Sequence, residues 1–130
     1  MYTITEDDVL VARQFDDWVV RNALFNFDVH NIEGSGLDKT GVQKKFKQTK
    51  GYTIPYGCLV PKGIDNLLLA GRNISGTHMA HSNYRAMPIC AGIGEAAGAA
   101  AAIAAKQGIK ARDVNVKEIQ DILIENGMVV

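Results

Sequence analysis

The sequence predicts a mixed α/β chain, laid out as an α+β fragment: early strands, then a buried strand of the parallel-sheet kind, a polar loop and a small-residue helix. Three observations predict it. Phe25, Phe27 and Val29 alternate with polar residues, which suits a strand with one buried face. Asn66-Leu67-Leu68-Leu69-Ala70 is a short apolar run closed by Gly71, the pattern of a strand covered on both faces. From Pro88 to Lys106 glycines and alanines dominate, with Pro88 suited to a first helical turn and Gly108 to a C-terminal cap.

The remaining elements follow in order. Thr5 with Asp8 three residues on is a capping-box-like start to a short helix. Trp18-Val19-Val20 and Leu24 to His30 read as strands, and Asn31 to Gly36 as a turn. Pro55 biases Ile54 away from helix, so Tyr52-Thr53-Ile54 is extended. Gly57 to Val60 reads as a further short strand before the Pro61-Lys62-Gly63 turn. Asn115, with Glu118 three residues later, opens a last helix with Ile119, Ile122 and Leu123 on its apolar stripe and Asn126-Gly127 at its end. The pattern changes at Tyr52, which divides the chain into residues 1–50 and 51–130.

A chain of 130 residues holds one domain or a piece of one. Fourteen basic residues balance fourteen acidic ones, which argues against a nucleic-acid partner held by phosphate neutralisation. The balance hides a split. Residues 1–38 carry eight acids against Arg13 and Arg21, whereas residues 39–50 carry five lysines and no acid. That lysine run reads as a solvated loop. No signal peptide is visible and Cys58 and Cys90 do not form a disulfide framework, so a reducing, cytoplasmic setting is expected. The Ile89–Ala105 stretch is apolar but Ala-rich and interrupted by Glu95, which favours a buried helix over a membrane span.

The chemistry concentrates between Gly71 and Cys90. A helix N-terminus presents unpaired N–H groups and partial positive charge, so anions or polarised carbonyls bind there. Gly94 and Gly98 allow either close helix packing or close approach of a flat ligand. Gly71 to Thr77 superficially matches a phosphate loop but lacks its lysine, and the dinucleotide fingerprint G-x-G-x-x-G is absent. His78 and His81 stand three apart without further ligands nearby, so no metal site is expected. Arg72 and Arg85 suit a phosphate or carboxylate, or an acid such as Asp65 or Glu95. Both cysteines read as inert thiols, with a lowered Cys90 pKa as the alternative.

Four ordered motifs carry a resemblance: IPYGCLVP from Ile54, NLLLAGRNIS from Asn66, RAMP from Arg85 and GEAAGAAAA from Gly94. Together with TITEDDVL and FDVH upstream, they resemble the C-terminal portion of FAD-dependent oxidoreductases of the glutathione-reductase-like superfamily. The nearest likeness is to a bacterial group sometimes labelled xanthan-lyase-like. The resemblance implies FAD as cofactor and a small-molecule substrate. It implies that Gly71, Arg72 and Asn73, with Met87, Pro88, Ile89 and Cys90, meet the flavin. It also implies that His78, His81 and Arg85 line the substrate side, that residues 1–50 belong to the substrate-side sheet, and that residues 51–130 are the C-terminal flavin-closing segment of the FAD-binding domain. The helix body would pack on an N-terminal dinucleotide-binding half that this chain lacks. Many relatives in the wider superfamily place an acid where Arg72 stands. The alternative is a cofactor-free α/β module whose exposed small-residue helix drives self-association into a homo-oligomer.

Overall fold

The computed structural model describes residues 1–29 and 47–128. The expected turn at Asn31–Gly36, His30 and most of the lysine run lie outside the described residues. Helix α1 (Glu6–Leu10) starts as expected: the Asp8 N–H donates to Thr5 Oγ1 and the Thr5 N–H donates to Asp8 Oδ2. The Asp8 carboxylate also accepts from Tyr2 Oη at 2.9 Å and pairs with Arg13 at 3.1 Å, which is what a buried acid requires.

Strand β1 (Trp18–Ala23) pairs antiparallel with β2 (Tyr52–Pro55) in a two-stranded sheet. The register runs Trp18–Pro55, Val20–Ile54 and Ala23–Tyr52, with an irregularity in each interval. Leu24 to Val29 is not a strand. Asn22 has a φ of 53°, a bend inside the last irregular interval of the ladder, which ends one residue later at Ala23. Beyond that bend the Gln48 side chain stands in for a neighbouring strand: its amide donates to the Ala23 carbonyl and accepts from the Phe25 N–H. The predicted alternation therefore fails at one position. Phe27 and Val29 are buried, while Phe25 is 42% exposed.

Two further strand expectations are corrected. Tyr56–Cys58 is a 3₁₀ turn, its register set by Leu59 N–H donating to the Tyr56 carbonyl at 2.9 Å. Asn66 is a bend with a left-handed φ of 59°, and Leu67 to Ala70 joins no sheet among the described residues. The Leu69 N–H donates to the Leu59 carbonyl, and Leu67 is 45% exposed. A strand is stable through its ladder, and among the described residues no neighbouring strand completes one here.

After this segment, Ile4 and Gly76 form a parallel bridge, and helix α2 (His78–Tyr84) begins at Thr77, whose Oγ1 accepts from the Ala80 N–H. Helix α3 (Met87–Gln107) follows almost at once and ends at Gly108 in the left-handed conformation, φ 66°. By length and composition α3 could cross a membrane. Its isoleucines, however, are spent inside the protein: Ile89, Ile93, Ala96, Ala100 and Ile103 form a buried stripe at helical spacing, and α3 packs on β1. Helix α4 (Val116–Glu125) covers the same region. Its buried Gln120 donates to the Asp16 and Trp18 carbonyls, fixing α4 across the start of β1. Asn115 caps α4 through the Lys117 N–H, but Glu118 turns to Gln107, so the expected reciprocal box does not form.

One hydrophobic core joins these pieces, with Ile4, Val20, Ile54, Tyr84, Ile93 and Leu123 among its members.

Candidate functional site

Two aligned features meet where α2 hands over to α3. The first is the turn after the Asn66–Ala70 segment. Gly71 is buried, and a Cβ built on it would meet nothing within 4 Å, so the backbone there is open to a ligand. Arg72 reaches from this turn to donate through Nε to the Arg85 carbonyl at 3.2 Å. It also acts electrostatically on the Cys90 thiol. Asn73 is exposed beside it.

The second is the first turn of α3. Its N-cap, Ala86, supplies no side-chain acceptor, and Pro88 sits in the first turn. The Cys90 N–H closes the first turn onto the Ala86 carbonyl at 2.9 Å. The N–H groups of Met87 and Ile89 remain as donors, since the turns and caps of the described residues hold no acceptor for them. Met87 is 75% exposed. Gly71–Asn73 and Met87–Cys90, far apart in sequence, are thus joined through Arg72. The arrangement presents a guanidinium, free backbone N–H groups and an open glycine. It fits the electron-rich edge of a polar heterocycle.

Cys90 is not activated. Its thiol lies 3.5 Å from the Tyr84 carbonyl, and burial raises its pKa despite the nearby Arg72. Cys58 is fully buried and its pKa is pushed up to about 12 by desolvation.

His78, His81 and Arg85 also come together. With Asp28, Val29 and Ser82 they line a cavity of about 230 Å³. Arg85 does not pair with Asp65 or Glu95. Asp65 binds Lys110 and Arg112 at 3.0 Å each, and Glu95 accepts from Asn126. The acid that Arg85 takes is Asp28, through a side-chain ion pair and a second bond to the Asp28 carbonyl at 2.8 Å. The His81 ring stands edge-on to Tyr84 at 5.4 Å. Its pKa is lowered by partial burial first and then by Arg85, His78 and Arg72. Among the described residues no three His, Cys, Asp or Glu side chains converge as metal ligands.

Sequence reasoning missed the groups that hold this site in place. Buried Asn83 accepts from Tyr52 Oη at 2.9 Å, donates to Gln48 Oε1 at 2.7 Å and donates to the Phe25 carbonyl. Glu6 accepts from Thr77 Oγ1 at 2.6 Å at the start of α2. Asp28 carried a signal, as an acid inside an apolar alternating run. Asn83 and Glu6 carried none, because their acceptors and donors lie on other elements.

Among the described residues the other side of α3 is only partly covered. Gly94, Ala97, Gly98 and Ala101 form one wall of an open trough of about 890 Å³, and Asn66, Leu68 and Ala70 contribute the other. A Cβ on Gly94 would lie 3.7 Å from the Ala70 carbonyl, and one on Gly98 would meet nothing.

No curated protein and no solved structure matches the chain. A family model described as FAD dependent oxidoreductase matches residues 1–123. That match spans nearly the whole chain, from the Ile4 bridge through both halves of the α2–α3 site to α4, and the chain belongs to the FAD dependent oxidoreductase family.

Proposed function

We propose that the chain is the flavin-closing portion of an FAD-dependent oxidoreductase, of the glutathione-reductase-like kind, acting on a small-molecule substrate. The observation that carries this reading is the junction of the Gly71–Asn73 turn with the start of α3 through Arg72. In this reading the Met87 and Ile89 N–H groups and Arg72 hold the pyrimidine edge of FAD. The open backbone at Gly71 lets the ring system or its side chain come close. Bound flavin would supply two-electron transfer with substrate. The positive end of α3 and the Arg72 guanidinium stabilise negative charge at the edge they face. His78, His81 and Arg85 orient substrate, and His81 is the group suited to accept a proton, since its lowered pKa keeps the imidazole neutral near pH 7.

The trough along α3 is the surface on which a dinucleotide-binding half would seat. Its walls are mostly Ala and Gly, with Leu68 and Ile109 and the polar Asn66 and Lys110, and the chain carries no G-x-G-x-x-G of its own. The same partly covered wall supports a second reading, a cofactor-free module that self-associates through α3.

Titration of FAD with the purified chain, followed by flavin fluorescence and visible absorbance, separates the two. Saturable quenching at micromolar protein, weakened by Arg72→Ala, is the expected result. No quenching together with a concentration-dependent dimer in sedimentation would establish the second reading instead.

A further inference from the structure

We propose that the cavity between α2 and the Phe27–Val29 segment binds a small organic anion, a carboxylate, held by Arg85 and His81 with exposed His78 beside it. This rests on the substrate-side role given to these residues above and adds a substrate class to it.

Among the described residues the charge around the cavity is one-sided: its walls carry Arg85, His78 and His81 against one acid, Asp28. Arg85, His78 and, from the preceding turn, Arg72 each act on His81 in the direction that lowers its pKa. Two acids of the neighbouring elements are held in structural bonds. Glu6 is held by the Thr77 hydroxyl, and Asp28 by Arg85. Both bonds to Asp28 run through the same Nη of Arg85, so the other edge of the guanidinium is not spent on them. Neither imidazole makes a hydrogen bond to a described residue, whereas the Ser82 hydroxyl is occupied by the Met79 carbonyl.

The dimensions limit the ligand. At about 30 Å³ per water, 230 Å³ holds roughly eight waters, less than a drug-sized pocket offers. A carboxylate with a short chain fits, and a nucleotide does not. The geometry also explains why the anion matters to His81. A negative group lodged between Arg85 and His81 offsets the two arginines, so binding favours the imidazolium.

The test is a titration of the whole chain with sodium acetate at about pH 6.5, where histidine charge is most responsive. The readout is the imidazole NMR signals of His78 and His81, with sodium chloride at matched ionic strength and sodium phosphate as parallel probes. Acetate is expected to shift both signals saturably and to raise the pKa of His81, and chloride is not. Arg85→Gln should weaken acetate binding more than about tenfold. Because that variant also breaks the Asp28 pair, exposed His78→Gln serves beside it, with an expected weakening of about threefold and an unchanged melting temperature. A response no larger than that to chloride overturns the inference, and so does saturation by phosphate with acetate silent. Failure of the flavin reading is distinct: FAD would leave the flavin signal unchanged while acetate still saturates His81.

Discussion

Gly98→Ala is expected to stabilise the chain. Gly98 lies deep inside the 21-residue helix α3, away from either end. Glycine in a helix interior costs about 0.5–1 kcal/mol relative to alanine, because the unfolded chain loses more freedom on ordering. An added methyl normally risks a clash, but here nothing lies within 4 Å of the new Cβ. The propensity gain is therefore unopposed. For a chain of this size, about 0.5–1 kcal/mol corresponds to a rise of roughly 2–4 °C in melting temperature. Gly76→Ala is the matched opposite. There the Cβ would stand 2.5 Å from Tyr84 Cε1 and 2.6 Å from its hydroxyl, and Tyr84 is buried and bonded to the Ile74 carbonyl. That variant should lose about 1–3 kcal/mol by overpacking. Differential scanning calorimetry of both, at two protein concentrations, tests the pair. A lower melting temperature for Gly98→Ala would refute the reasoning, because it would mean that the small face of α3 is covered in solution. Concentration dependence of that loss would identify the cover as a second copy.

Three further outcomes are expected. Asn83→Ala should cost about 2–4 kcal/mol in urea unfolding, since it strands the buried Tyr52 hydroxyl and removes the tie to Phe25 and Gln48; a loss under about 0.5 kcal/mol would deny the network its role. His81→Gln should lessen the stability lost between pH 7 and pH 5. The folded-state pKa of His81 lies below its ordinary value, so the unfolded chain binds the proton first, and the contribution is full above about pH 6.5 and fades as pH falls; thermal melts of both chains across that range check it. With an aromatic disulfide reagent at pH 8, Cys58 should stay silent until the chain unfolds, and Cys90 should react more slowly than a free thiol, because burial raises both pKa values.

The sequence by itself determined the features that depend on neighbours a few residues away. The Thr5–Asp8 box, the Pro88 start and Gly108 stop of α3, and the Asn115 cap all form where the residues indicate, because a cap is a bond within one turn. The candidates for the site could be named from the sequence for a related reason: the Gly-Arg turn, the histidine pair and the small-residue helix each occupy one short stretch. Pairing was not legible. Leu24–Val29 and Asn66–Ala70 have strand-like patterns, but a strand exists only with a neighbour. In the first case the ladder ends at Ala23, one residue past the Asn22 bend, and Gln48 stands in beyond it, while in the second no strand lies alongside among the described residues. Charge assignment failed in the same way. Asp65 and Glu95 were plausible acids for Arg85 by sequence distance, yet the tertiary structure gives that role to Asp28, fifty-seven residues away. Folding decided which turn meets which helix end, because the Arg72 bond, the Asn83 network and the His81 cavity each join segments that only packing brings together.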